Sequence, residues 1–228
     1  MTTPAAVLTF GRHGDVTWRG VRVDRLGRAS FDLGHHGVWA PVSLRIAGAH
    51  QVANAAAAAA MALAVGVPLP VIADRLTQAE PPSTGRMSVH TRADGLVVID
   101  DSYNANPEST TAALDALVSI GAHRSGRTIA VLGEMRELGP ATRLAHERIG
   151  RLAREHGIDV VVAVGPVARP AGGVGLPIRE DALGWLGREV RPDDTVLVKA
   201  SRAAGLDVVA AALLAAATSH DRPPKVSR

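Results

Sequence analysis

VVIDDSYNANPESTTAALDAL, residues 97–117, is the stretch from which the fold is read. The apolar run 96–99 reads as a buried strand. The chain then turns polar through Asp100, Asp101, Ser102, Tyr103 and Asn104. Asn106-Pro107 opens a helix: Asn is a favoured N-cap, and Pro is tolerated at the first helical position, where its missing N–H would have no partner. Ala112, Ala113, Leu114 and Leu117 supply that helix's buried stripe. In an open α/β sheet, ligands sit at strand ends of this kind. Asp is common after strands as a turn cap, but a simple turn does not require the polar density of DDSYNANPES.

The same alternation continues outward. Residues 88–92 and 96–99 form a hairpin around Ala93-Asp94-Gly95, where Asp-Gly is a strong turn signal. Strands 128–132, 159–164, 176–178 and 195–199 alternate with helices 141–156, 181–189 and 206–216. This predicts an α/β domain, a Rossmann-like, mostly parallel sheet with helices on both faces. Residues 166–175 are short and Gly-rich where a full helix would be expected. Upstream, residues 1–46 read as small antiparallel strands, with Val16/Trp18, Val21/Val23, Phe31/Leu33 and Val42/Leu44/Ile46 alternating with polar neighbours. Such a meander needs a covering layer. The Ala-rich helix 48–65 and a short helix 69–76 supply it. The run TQAEPPSTGRM, 77–87, marks a boundary. The expected division is 1–80, a linker at 81–87, a domain at 88–218 and a disordered tail at 219–228. The chain reads as starting partway through a domain.

Composition narrows the function classes. The chain has 228 residues, a formal charge of +3, no cysteine, and only two lysines, Lys199 and Lys225. There is no thiol chemistry and no Cys-ligated zinc, which is compatible with a cytoplasmic protein. The arginines are scattered, so no nucleic-acid footprint is read. The N-terminus lacks the charged and apolar regions of a signal peptide. Residues 55–73 carry no charge, but they are mostly Ala interrupted by Gly66, Pro68 and Pro70. A spanning helix needs about 20 strongly apolar residues, so a soluble protein without membrane insertion is expected.

Several strings resemble one family. DDSYNANP, 100–107, resembles the hinge motif of the Mur ligases. GEMRELG, 133–139, follows the strand pattern IAVL and resembles their G-x-M-x-E-L-G motif. Lys199-Ala200-Ser201-Arg202 follows TVLV and resembles their K-G-S-R motif, with Ala200 where the family has Gly and Asp207 where it usually has Glu. The pattern G-x-H-x-x-x-N-x-x-A-A from Gly48 resembles the stretch closing the family's central ATPase domain. Gly85-Arg86 matches a further G-R motif. Taken singly, each charged loop is more simply solvated surface; three in order, all after strands, are harder to dismiss.

The resemblance implies an ATP- and Mg²⁺-dependent ligase of peptidoglycan precursor synthesis. Such an enzyme phosphorylates the carboxylate of UDP-N-acetylmuramoyl-tripeptide and joins it to the amine of D-alanyl-D-alanine. The resemblance also implies Asn54 at the adenine, His50 near the nucleotide, Arg86 at the ATP phosphates and Asp101 in the ribose or hinge network. Asp100, Ser102, Tyr103, Asn104 and Asn106 fall in the interdomain hinge, and Lys199, Ser201 and Arg202 line the dipeptide site. Ala200 is expected to add a methyl to a loop approaching the substrate. No residue is assigned as catalytic, and none as a metal ligand.

The family's phosphate loop, of the type G-x-x-x-x-G-K-[ST], has no match here, since neither lysine is followed by Ser or Thr. No position can be assigned to the lysine that carries the family's carbamate, and the domain gripping the UDP-sugar has no counterpart. The resemblance therefore covers the carboxyl-terminal half of the family's length, a half expected to be inactive alone. The alternatives are another superfamily member, namely the diaminopimelate- or lysine-adding ligase or folylpolyglutamate synthase, and a non-catalytic binding module. Limited proteolysis is expected to cut first within residues 81–85 or after Thr218, read by mass spectrometry of the early fragments. First cuts within 128–164 would sink the domain division.

Overall fold

The computed structural model describes residues 7–80 and 84–215, and the chain divides into two units, Met1–Pro82 and Ser83–Arg228. In the first unit, strands β1 (Val16–Val23), β2 (Arg28–His35) and β3 (Val38–Ala47) form an antiparallel meander in the order β1-β2-β3. Phe31, Leu33, Val42 and Leu44 point inward on alternate positions, as period-two patterning requires. They meet Val52, Ala55, Ala56, Ala59 and Ala60 of helix α1 (Gln51–Ala64) and Leu69, Ile72 and Ala73 of α2 (Leu69–Gln78). One expectation fails within β1: Val21 and Val23 are exposed, because a register shift between Arg19 and Arg22 breaks the alternation there.

The second unit is a six-stranded sheet in the order β4-β5-β9-β6-β7-β8. Its strands are β4 (Ser88–Thr91), β5 (Val97–Asp101), β6 (Thr128–Leu132), β7 (Val160–Val164), β8 (Val174–Leu176) and β9 (Thr195–Lys199). β4 pairs antiparallel with β5, and every other pairing is parallel. The central strands are buried on both faces, which is why they read as unbroken apolar runs. One face packs on α3 (Pro107–Gly121) and α4 (Thr142–Glu155), the other on α5 (Arg179–Glu189) and α6 (Asp207–Ala215).

Local chemistry sets the element ends. Asn106 caps α3 as expected, accepting from the Ser109 N–H while Ser109 Oγ accepts from the Asn106 N–H. The buried stripe of α3 runs through Ala113, Leu114, Ala116, Leu117 and Ile120, with Ala112 at its margin. Between β7 and β8 there is a single 3-10 turn, Arg169–Ala171, and no α-helix. That turn lies directly on α4. A side chain at Gly150 would collide with the Ala171 carbonyl, so the short crossover depends on that glycine. Within 84–87, expected as linker, Gly85 and Met87 are buried while Thr84 and Arg86 are exposed, and the Gly85 carbonyl accepts from the Tyr103 N–H at 2.9 Å. Residues 81–83 of the linker and the tail after Thr218 lie outside the described residues. No helix among the described residues is long and apolar enough to cross a membrane.

At the amino ends of the strands, carboxylates satisfy backbone donors. Asp94 is bound by Arg92, Asp159 by the Thr128 N–H and hydroxyl, and Asp194 by the N–H groups of Arg127 and Arg191 and the Arg127 guanidinium. Asp194 is 2 % exposed. Burial pushes its carboxyl up, but the hydrogen bonds from Arg127 and from the two backbone amides outweigh burial and hold it below the usual carboxylate value. A depressed pKa in the folded state stabilises above the unfolded carboxylate range, near pH 4, and that contribution fades as pH falls through the folded value. Asp194→Asn is expected to destabilise the Ser83–Arg228 unit by about 2–4 kcal/mol at pH 7, less than for a fully buried pair because Arg127 reaches water. The difference from wild type should shrink toward pH 3, as measured by urea unfolding followed on that unit's NMR signals.

Candidate functional site

The loops after β5 and β6 lead to the α3/α4 face of the sheet, whereas the loop after β9, which lies between those strands, leads to α6 on the other face. Neighbouring strand ends whose chains depart to opposite faces open a crevice. A cleft of about 400 Å³ lies there. It is lined by Asn104, Ala105 and Asn106 after β5, Arg136, Glu137 and Leu138 after β6, and Ser201, Arg202 and Ala203 after β9. The three motifs singled out in sequence thus line one cavity.

Its floor is tied together by a few polar contacts. Asp101 and Lys199 are register partners at the ends of β5 and β9. Lys199 Nζ donates to Asp101 Oδ2 at 2.5 Å and to the Asn104 carbonyl at 2.8 Å. Asp101 Oδ1 accepts from the Met87 N–H. Burial pushes the Lys199 ammonium below the ordinary lysine value, the Asp101 carboxylate opposes that, and the nearby Arg86 charge adds to it. Ser201 joins all three loops: its Oγ accepts from the Arg136 N–H at 2.9 Å and donates to the Ala105 carbonyl, while its own N–H donates to the Glu134 carbonyl. Asp100 accepts from the N–H and Oγ of Ser102, a local Asx-type turn that reverses the chain after β5.

Two expectations need correction. Lys199 does not present its charge to the cleft: its side chain is 1 % exposed, and its ammonium is spent within the protein on Asp101 and Asn104. Ala200 does not face the cleft either. It is fully buried, and its methyl would sit 2.6 Å from a Cβ at position 133, so it is accommodated because residue 133 is Gly.

Arg136 and Arg202 are the exposed cations lining the cleft, with Arg86 nearby over Tyr103; Arg136 pairs with Glu134 at 3.2 Å. Arg86 and Arg202, expected to serve different ligands, both stack on Tyr103, with guanidinium carbons 4.1 and 5.5 Å from the ring centroid. Among the described residues neither forms a salt bridge to a carboxylate. Asn54 and His50 belong to the Met1–Pro82 unit, at the start of α1. There the Asn54 amide donates to Gln51 Oε1.

Sequence reading missed Arg136, Glu137 and Leu138 as individual lining residues, and it missed His146. The motif string was the available signal for the first three. Glu137 takes a left-handed backbone, φ +64°, which is uncommon for a residue with a side chain. For a candidate metal, the donor chemistry does not fit: among the described residues no group of three or more His, Asp or Glu is placed to hold an ion.

Comparison with known proteins bears on the family and the fold. The family described as Mur ligase, glutamate ligase domain matches residues 85–202, which contain every lining residue of the cleft except Ala203. The UDP-N-acetylmuramoyl-tripeptide–D-alanyl-D-alanine ligase of Mycobacterium tuberculosis is 44 % identical over 93 % of this chain and 48 % of its own length. The Escherichia coli ligase of the same name is 36 % identical over 75 % of this chain and 38 % of its own. Among solved structures, MurF from Acinetobacter baumannii superposes with a TM-score of 0.80 at 32 % identity, over 91 % of this chain and 46 % of that one. MurF from Thermotoga maritima, solved in complex with ADP, gives 0.78 at 25 % identity, over 92 % and 49 %. The chain spans about half the length of the M. tuberculosis relative. A matched domain over 85–202, enclosing the strand-end motifs that build the cleft, places the chain in the Mur ligase family.

Proposed function

We propose that this chain is the carboxyl-terminal half of an ATP-dependent ligase that joins D-alanyl-D-alanine to UDP-N-acetylmuramoyl-tripeptide in peptidoglycan precursor synthesis. One observation carries the reading: the three strand-end motifs that resemble those of the Mur ligases converge on one cleft, at which the Arg202 guanidinium has no salt bridge among the described residues, whereas Arg136 is paired with Glu134. A dipeptide brings one carboxylate, and a planar guanidinium can fork two oxygens. Arg202 is the proposed carboxylate ligand, Ser201 holds the loops that shape the cleft, and Asn104 and Asn106 offer neutral partners.

The nucleotide enters this proposal only through single residues. Arg86 is proposed at the phosphates, as the resemblance implies, and its stack on Tyr103 supports a fixed orientation. Asn54 and His50 are kept as adenine-side contacts of their own unit. Asp101 is better placed as the partner of Lys199 than as a ribose ligand, since both its oxygens already hold protein donors. No Mg²⁺ ligand and no phosphate loop are assigned to this chain, so no step is drawn through either. The cleft's own work is to hold the attacking amine in place and exclude water from an activated carboxylate. A cytoplasmic setting is adopted as compatible with the absence of cysteine.

Two outcomes check this. In a full-length ligase carrying this sequence as its carboxyl half, Arg202→Ala is expected to raise KM for D-alanyl-D-alanine about ten- to hundredfold. That is the size of a lost charge-assisted hydrogen bond worth roughly 1.5–3 kcal/mol, and the KM for ATP should change less. An unchanged dipeptide KM removes Arg202 from the site. The chain by itself is expected to release no phosphate with ATP, Mg²⁺ and both other substrates present, and to bind ATP weakly in calorimetry. Micromolar binding or turnover above a boiled control would reveal a phosphate site in this chain.

A further inference from the structure

His146 lies on α4 and outside the cleft, yet both its ring nitrogens are committed. It is 2 % exposed. Nε2 lies 3.0 Å from the Met135 amide nitrogen, and Nδ1 lies 2.7 Å from the Thr142 carbonyl oxygen. A backbone amide can only donate and a carbonyl can only accept. The ring is therefore the neutral tautomer with its proton on Nδ1 and a bare Nε2.

The amide it accepts from is not an ordinary loop amide. Met135 precedes Arg136, Glu137 and Leu138, the cleft's contribution from β6. The Met135 side chain is buried, with Thr110 Oγ1 donating to its sulfur. The next amide, that of Arg136, donates to Ser201 Oγ, and at the far end the Thr142 hydroxyl donates to the Gly139 carbonyl. Between these anchors Glu137 holds its left-handed backbone. A sparsely populated conformation persists where the surroundings over-determine it, and His146 supplies the anchor nearest the point where the loop enters the cleft.

We propose that His146 is a positioning residue: through the Met135 amide it fixes the conformation in which Arg136, Glu137 and Leu138 are presented to the cleft. It touches no ligand. Removing its acceptor leaves a buried N–H without a partner, and the loop relieves this by opening locally, well before the sheet does. Gln can place an acceptor oxygen near the Nε2 position, whereas Phe keeps the ring volume without an acceptor.

The proposal is tested on the 228-residue chain by NMR. In the wild type, a nitrogen–nitrogen coupling across the hydrogen bond should link the Met135 amide to His146 Nε2, and its absence would overturn the proposal without any variant. In His146→Phe, amide exchange at residues 135–138 is expected to speed up at least tenfold while β7 amides stay unchanged. His146→Gln should recover most of that protection. Unchanged exchange in the Phe variant, or a Gln variant no better than Phe, would overturn it. Should the Phe variant not fold, wild-type coupling together with protection in the Gln variant decides the matter. The effect on binding rests on the proposed reading of the cleft. D-Alanyl-D-alanine should shift the signals of 136–138 in the wild type and the Gln variant, with at least fivefold weaker binding in the Phe variant. No dipeptide response in the wild type would count against the cleft assignment, while coupling and exchange would still judge His146.

Discussion

The buried ion pair of Lys199 and Asp101 is the contact on which the cleft depends. Two charges taken out of water are costly, and their mutual attraction offsets the loss only when geometry is good and the remaining donors are used. Here parallel pairing sets the two residues side by side at adjacent strand ends, and the second donor of Lys199 holds the Asn104 carbonyl. The pair thus converts strand register into loop position. With Lys199 fixed on β9, the loop after β5 cannot drift, and Ser201, two residues further on, binds that loop to the one after β6. Apolar residues at these two positions would pack as well or better, but they would leave Asn104 and Met87 without these partners.

The sheet divides its labour between its two ends. At the amino ends, Asp94, Asp159 and Asp194 satisfy arginines and backbone amides, and this network serves rigidity. At the carboxyl ends, Arg86 and Arg202 form no salt bridge among the described residues while Arg136 pairs with Glu134, one residue sits in an uncommon backbone conformation, and three loops meet at the Ser201 hydroxyl. The central strands between them are apolar and buried on both faces, so the polar contacts at one end are kept apart from the fastening at the other.

Most of this architecture was legible in sequence because it rests on local patterns. Asn106-Pro107 announced a capped helix, Asp94-Gly95 a hairpin, and the valine runs buried strands, and each is found. What escaped was non-local. Lys199 read as a cation lining the dipeptide site, and its internal partner was not visible because Asp101 lies 98 positions away and only the strand order makes them neighbours. Ala200 read as a methyl aimed at a ligand because the space that receives it is created by Gly133, on another strand's loop. His146 carried no signal at all: a lone histidine in an amphipathic helix looks the same whether it is solvated or clamped to a loop. Gly150, one helix glycine among many, gave no hint that a neighbouring crossover would lie on it.

Tyr103 gives the molecule a property independent of any of its proposed partners. It is the only tyrosine in the chain, and both Arg86 and Arg202 lie over its ring. A phenol ring close to two cations has its near-ultraviolet transitions perturbed by their field, and the perturbation changes when either guanidinium moves away. The strand ends of this protein therefore carry their own single phenol chromophore, whose environment reports on the two arginines without a label.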